Sequence, residues 1–137
     1  MRGGGVGGEK KWIFDSGATS HMVAGGCHLR QRKNVRNRVV EVVDGSEVSV
    51  ESSGRVYLSE VGTAGGAEVV LRRTLLVPSL QENLISISKL DEDGYKIEIE
   101  KGRLTVMKDG KVKAEGNKKK GLYELERGGE GGRTDEK

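Results

Sequence analysis

One acidic residue stands where a short apolar strand is predicted to end. Residues 12–14 (WIF) are bulky and apolar, and Asp15, Ser16 and Gly17 follow them directly. An apolar run bounded by turn residues is typical of a buried strand. A carboxylate at the end of such a strand lies at the border of the core, where catalytic groups are often found. Asp15 is therefore the leading candidate for acid–base chemistry, with an ordinary capped turn as the structural alternative.

A second group of candidate residues follows closely. His21, Cys27 and His28 are near enough in sequence to suggest a zinc site or a cysteine nucleophile. A structural zinc site needs four ligands, and a fourth is missing at any recognisable spacing. A nucleophilic cysteine and its base usually come from separate parts of the chain, whereas Cys27 and His28 are adjacent. We therefore predict no metal and no other cofactor.

Most of the chain around these residues has the pattern of short strands. Residues 39–43 are rich in valine and residues 47–51 alternate between apolar and polar, with Asp44-Gly45 between them. A strand, Asp-Gly, strand order is a strong hairpin signal. Residues 52–54 are expected to break or bulge the outgoing strand. Further strands are predicted over residues 10–14, 55–58, 67–77, 95–100, 104–107, 111–114 and 121–125.

One segment has helical spacing instead. Leu80, Leu84, Ile87 and Leu90 recur at intervals of three and four residues, and Gly94 suits a helix C-cap. We predict a single short helix near residues 82–92. The fold class is then all-β, as a small closed barrel or a sandwich.

Composition and charge limit the other functions. The 137 residues include 22 glycines. Some cluster in residues 1–9 and 127–137, which we expect to be flexible tails around one domain over residues 10–126. The net charge of +3 does not by itself indicate a nucleic-acid partner. Residues 29–38 are basic but lack aromatic residues for stacking on bases, so a solvated loop is favoured over a nucleic-acid site.

The sequence also indicates the cellular compartment of the protein. No apolar run approaches the ~18 residues of a membrane helix. The single cysteine excludes an internal disulfide, and the N-terminus lacks the apolar segment of a signal peptide. We expect a soluble intracellular protein, cut from or joined to a longer polyprotein.

The order of these segments resembles the retropepsin family of aspartic proteases, in the form found in Ty1/copia-type retrotransposon polyproteins. Residues 12–22 (WIFDSGATSHM) are similar to the active-site segment of that family, and residues 43–56 to the hairpin that follows it. Residues 76–95, which include LVPSL and NLIS, are similar to its C-terminal signature. Residues 121–125 (GLYEL) resemble the segment that leads towards the integrase region. The similarity covers residues 11–126.

The resemblance implies a fold and a mechanism. The fold would be a small closed antiparallel β-barrel of the retropepsin (acid protease) type, and two chains would each supply Asp15 to a homodimer. Two carboxylates at such a short distance cannot both ionise easily, so they share one proton. The ionised one would activate a water as general base, and the protonated one would polarise the scissile carbonyl. The substrate would be the chain's own Gag-Pol polyprotein, bound by strand pairing inside retrotransposon particles in the cytoplasm, without membrane or nucleic-acid partners.

The same resemblance implies roles for individual residues. Asp15 would be catalytic, and Ser16 would hydrogen-bond across the dimer. The active-site turn would comprise Ser16, Gly17 and Ala18; the flap tip Val43, Asp44, Gly45 and Ser46; and the segment that supports the site Asn83, Leu84, Ile85 and Ser86.

Two residues depart from the family pattern. Ser52 stands where a glycine is expected in the hairpin region, and it could stiffen the outgoing flap strand. Ser86 replaces the glycine of other retropepsins, although serine is usual there in the copia type. The alternative function is a catalytically inactive barrel of the same fold, serving as a dimerisation or peptide-binding module. A nucleic-acid binder that uses residues 30–38 is a third hypothesis.

Overall fold

The computed structural model describes residues 10–42, 44–58 and 69–126. The predicted tails, residues 1–9 and 127–137, lie outside these ranges. The described residues form ten strands, one α-helix and one 3-10 turn, Gly26–His28. The elements are β1 (Trp12–Asp15), β2 (His21–Val23), β3 (Arg30–Glu41), β4 (Glu47–Tyr57), β5 (Val70–Leu76), β6 (Asn83–Ser86), α1 (Ile87–Glu92), β7 (Lys96–Glu100), β8 (Arg103–Lys108), β9 (Lys111–Lys119) and β10 (Leu122–Leu125).

All ten strands belong to one sheet, in the order β3-β4-β5-β2-β6-β1-β10-β9-β8-β7. Most neighbours are antiparallel, but β1 pairs with β6 and β2 pairs with β5 in parallel. The predicted all-β class with one short helix is confirmed. The edge strands β3 and β7 do not pair with each other in the described residues, so closure into a barrel is supported only loosely.

The core explains why β1 is apolar throughout. β1 lies between β6 and β10, and Trp12, Ile13 and Phe14 are all buried, so both of its faces are covered. Strands covered on both faces have continuous apolar runs instead of alternation. A main cluster packs around Trp12 and Phe14, and a smaller cluster contains Met22, Val50, Leu75 and Val77.

The helix is shorter than predicted. Residues 83–86 form β6, because each of them pairs with a residue of β1, and the helix begins only at Ile87. Ser86 has an extended backbone and caps the helix, since its hydroxyl accepts a hydrogen bond from Lys89 N at 3.1 Å. The C-cap is Asp93, and Gly94, which was predicted as the C-cap, follows it with φ +93°. No helix in the described ranges is long and apolar enough to cross a membrane.

The basic segment is a strand, not a loop. Residues 30–41 form β3, an edge strand paired with β4, and most of its side chains are exposed. Because neither of its faces is well buried, the strand lacks the apolar alternation that would have identified it. Strand β9 ends at Lys119, and Lys120 and Gly121 form the turn before β10. Of the predicted strand over residues 67–77, the first two residues lie outside the described ranges.

Candidate active site

Strand β1 carries Asp15 to its last position, where the carboxylate is half-buried. Its Oδ1 accepts a hydrogen bond from Gly17 N at 2.7 Å. Ser16 and Gly17 are exposed, whereas Ala18 is buried. The described residues provide no partner for Oδ2 of Asp15. The turn therefore orients the carboxylate through one oxygen and leaves the other available to a water or a second chain.

The absence of a side chain at position 17 leaves the carboxylate of Asp15 uncovered. A Cβ added there would lie 3.4 Å from Asp15 Oδ1, in direct contact with the carboxylate. A larger side chain would cover the exposed surface of the turn. Gly17 thus supplies the N–H that holds Asp15 and keeps the carboxylate accessible.

Strand β6 lies directly beside β1. The parallel register places Asn83 opposite Trp12 and Ser86 opposite Asp15. Asn83 Oδ1 accepts a hydrogen bond from Ala24 N at 2.8 Å, which ties β6 to the segment after β2. Residues 83–86, singled out from the sequence as the support of the site, are therefore the neighbours of the segment that ends at Asp15.

Ser86 connects three parts of the site. Its Oγ donates to Ala18 O at 2.8 Å and accepts from Lys89 N at 3.1 Å. Its backbone N donates to His21 Nδ1 at 2.9 Å. Ser86 is fully buried, so these groups cannot turn to water instead. The hydroxyl, which a glycine would lack, fixes the active-site turn to the start of α1.

His21 is a buried neutral histidine. It is 1% exposed, and its Nδ1 is the acceptor for Ser86 N, so the ring proton belongs on Nε2. Burial, and then the charge of Lys89, lower the pKa of His21 to about 4. Nε2 has no hydrogen-bond partner in the described part of the chain. The sequence did not indicate this contact, because His21 and Ser86 lie 65 positions apart.

The zinc alternative has no geometric support in the described residues. No three His, Cys, Asp or Glu side chains converge on a position where they could hold an ion. The side chain of Cys27 lies outside the described part of the structure. His28 instead faces Trp12, with ring centroids 6.2 Å apart.

The predicted hairpin is formed by β3 and β4. Val42 N donates to Ser46 O at 2.9 Å, and Gly45 N donates to Val42 O at 2.8 Å. Asp44 Oδ1 accepts from both the Oγ and the N of Ser46, and the bond from the hydroxyl is the main reason that the pKa of Asp44 is lowered. Gly45 has φ +87°. Val43 lies outside the described residues.

The hairpin and the Asp15 turn are connected through packing and share no hydrogen bond in the described residues. Val40 and Val48, near the hairpin tip, pack against the cluster that contains Met22 of β2. Leu84 of β6 packs against the same cluster. The strands that flank the active-site turn therefore also support the hairpin, while its tip is exposed.

Comparison with known proteins places the chain in a family. The family model described as "Pol polyprotein, beta-barrel domain" matches residues 12–95, which is more than half of the 137-residue chain. The matched region includes Asp15, the β3–β4 hairpin and β6, and it ends before β7. No solved structure was found to match. The all-β fold agrees with the description of the family, and the chain belongs to the beta-barrel domains of Pol polyproteins.

Proposed function

We propose that this domain is an aspartic endopeptidase of the Ty1/copia retropepsin type, which cuts a retrotransposon Gag-Pol polyprotein as a homodimer. The observation that carries the proposal is the geometry of Asp15. Its carboxylate sits at the end of a buried strand, is oriented by Gly17 N at 2.7 Å, and is half-exposed in a turn of small residues. A general base needs this combination of orientation and access.

The dimer follows from the single carboxylate. Peptide hydrolysis without metal or covalent intermediate uses one group to deprotonate water and another to polarise the carbonyl. Among the described residues, no second carboxylate forms a hydrogen bond with Asp15 or with its turn. A second copy would supply it, with the two Asp15 turns facing each other across a two-fold axis and sharing one proton. Exposed Ser16 would hydrogen-bond across that axis.

The substrate would bind as an extended strand. The β3–β4 hairpin would act as the flap that covers the peptide and excludes water. Main-chain hydrogen bonds would hold the peptide, as in other cases where a strand is added to a sheet. Ser86, through Ala18 O, would keep the floor of the cleft in place.

The test is self-processing of a precursor that carries the flanking polyprotein. Asp15→Asn keeps the size of the side chain and should abolish cleavage, because the amide cannot act as a base. Asp109→Asn is the matched control: Asp109 lies in the exposed turn after β8, and its φ of +55° is tolerated by asparagine. Precursor cleaved equally by wild type and Asp15→Asn would contradict the proposal.

The second candidate is a non-catalytic module that dimerises or binds peptide. This candidate is supported by the description of the matched family, which names a β-barrel domain and no activity. Sedimentation and cleavage together separate the two candidates. The enzyme should be a dimer whose cleavage depends on Asp15. The module would be folded and would leave the precursor uncut in wild type as well.

A further inference from the structure

A basic groove lies over strands β3, β4 and β5. Its volume is about 560 Å³, and no aspartate or glutamate is among the described residues that line it. The cations that define the basic groove are Lys33, Arg38, Arg55, Arg72, Arg73 and Lys89.

Most of the cations in the basic groove have no ion-pair partner among the described residues. Lys89 pairs with Glu92 at 3.3 Å, and Glu92 and Asp93 line a smaller adjacent cavity together with Arg72, Arg73 and Lys89. The other five cations have no ion pair with any described residue. Several like charges brought together in one concave surface create a strong local positive potential, which attracts anionic ligands.

The backbone is irregular where these cations meet. Gly54 pairs with Thr74 and Val56 with Leu71, so Arg55 alone lies opposite the two residues Arg72 and Arg73. This is a β-bulge in β5. In a regular strand, consecutive side chains point to opposite faces, whereas a bulge redirects one of them. Both arginines therefore line the same groove.

The bulge is fixed from inside the fold. The hydroxyl of Thr74, which is fully buried, donates to Leu71 O at 2.9 Å and so spans the two arginines. A second register shift lies on the other side of β4, where Gln31 of β3 has φ +56° and also lines the groove. The backbone is therefore irregular in both strands that flank Arg55, and the basic groove lies at this position.

The basic groove reaches the segment that follows the active-site turn. Ser20, five residues after Asp15, is part of its lining. Lys89 also lines the groove, and its backbone N donates to Ser86 Oγ, which in turn donates to Ala18 O. The lining of the groove is therefore connected to the Asp15 turn along the chain, through Ser20, and across the fold, through Lys89 and Ser86.

We propose that the basic groove binds an acidic segment of the polypeptide substrate, next to the bond that is cut. This inference rests on the proposed protease function. Arginine binds carboxylates with paired N–H groups, and three of the cations are the arginines at the bulge. A nucleic-acid ligand is less well matched, because no aromatic side chain lines the groove and its volume is that of a pocket for a few side chains.

The test uses the Asp15→Asn chain, so that binding is measured without cleavage. The probe is a fluorescein-labelled peptide with four glutamates, compared with the same peptide carrying glutamines instead. Fluorescence anisotropy should show binding of the glutamate peptide that weakens with salt. Adding Arg72→Gln and Arg73→Gln, both exposed positions, should weaken it about fivefold or more. Lys111→Gln with Lys120→Gln removes two exposed cations outside the groove and should leave it unchanged.

A second measurement locates the site. The glutamate peptide, and not the glutamine peptide, should slow precursor cleavage by the wild-type chain. Equal binding of the two peptides, or no effect of the two arginine changes, would overturn the proposal. So would binding without inhibition, or a polyuridine oligonucleotide that binds the groove more tightly than the peptide. Because the binding assay does not need catalysis, its result is independent of whether Asp15 proves catalytic.

Discussion

A buried histidine links the support of the Asp15 turn to pH. The neutral ring of His21 accepts a hydrogen bond from Ser86 N, and Ser86 holds the turn through Ala18 O. Burial and the charge of Lys89 place the pKa of His21 at about 4, below the ordinary value of 6.5 that applies in the unfolded chain. As pH falls below 6.5, the unfolded chain gains a proton that the folded chain does not accept. The stability due to neutral His21 is therefore complete above pH 6.5 and is lost as pH falls towards 4.

This linkage predicts the behaviour of His21→Asn. The amide oxygen of asparagine can still accept from Ser86 N but does not titrate. Between pH 7 and pH 4, wild type should lose up to about 3 kcal/mol of unfolding free energy through His21, and the variant should lack that loss. Urea unfolding at a series of pH values measures it. His28→Asn leaves His21 in place and should therefore keep the loss that is due to His21. If His21→Asn shows the full wild-type pH dependence, the linkage is wrong.

At the scale of elements, the hairpin turn depends on one glycine. Gly45 has φ +87°, a conformation that other residues adopt only with strain. Its N–H donates to Val42 O, and Asp44 and Ser46 fix the turn through their own hydrogen bonds. Just below the turn, Glu41 and Glu47 stand opposite each other, and like charges in that position weaken strand pairing. The hairpin tip is therefore stabilised mainly by the turn, because pairing between its two strands is weak at this point.

Gly45→Ala should destabilise the hairpin. A Cβ at this position meets no other atom within 4 Å, so the cost comes from the backbone alone, about 1 kcal/mol. Gly25→Ala is the matched control, because Gly25 also has free space but has φ −125°, which alanine adopts without strain. Thermal and urea unfolding should separate the two variants, and Gly45→Ala should also slow precursor cleavage if the hairpin is the flap. Equal stabilities would show that the turn is not under this constraint.

The elements that the sequence predicted well are those fixed by local chemistry. Asp44-Gly45 defined the hairpin because turn geometry depends on a few adjacent residues. Residues 83–86 were predicted as helix because Leu80, Leu84, Ile87 and Leu90 have helical spacing. In the fold these leucines serve different elements: Leu84 belongs to β6 and packs with Leu80 on the smaller cluster, while Leu90 lies in α1 and the main core. Residues 83–86 form a strand because they pair with β1, and no local sequence pattern encodes that pairing.

The candidate site also combines features that adjacent residues predict with features that depend on distant residues. Asp15 and its turn were identified from adjacent residues, and residues 83–86 from their likeness to a family. The contacts of Ser86 with Ala18 and His21 join positions 68 and 65 residues apart, so they exist only in the folded chain. The two bulges beside Arg55 were equally hidden, because a bulge is a relation between two strands. The sequence therefore indicated the candidate carboxylate and its local turn, whereas the contacts between distant segments were visible only in the fold.

On the scale of the whole molecule, the sheet extends past the matched family region. Tyr123 pairs with Phe14 and Glu124 with Ile13, and Leu125 is buried in the main core. Strand β10 thus covers the side of β1 that β6 does not. The residues after 95 complete the surroundings of the strand that ends at Asp15, and the four strands β7–β10 belong to the same sheet as the site.

The proposed dimer leads to a prediction about mixed chains. If each active site needs Asp15 from both copies, a dimer of wild type with Asp15→Asn is inactive. Free exchange in an equal mixture leaves about one quarter of the dimers with both carboxylates, instead of the half expected if the chains did not mix. The initial rate of cleavage of a separate precursor should therefore fall by about half when an equal amount of Asp15→Asn is added to wild type.

The control and the contradicting result come from the same titration. Asp109→Asn has an intact Asp15, so adding it should raise the rate as added wild type does. With increasing Asp15→Asn the rate should follow the square of the wild-type fraction, provided that total dimer stays constant. A rate that depends only on the amount of wild-type chain would mean that one chain is a complete catalyst. The single Asp15 would then have to find its proton-sharing partner within its own chain, and the argument from one carboxylate to two copies would fail.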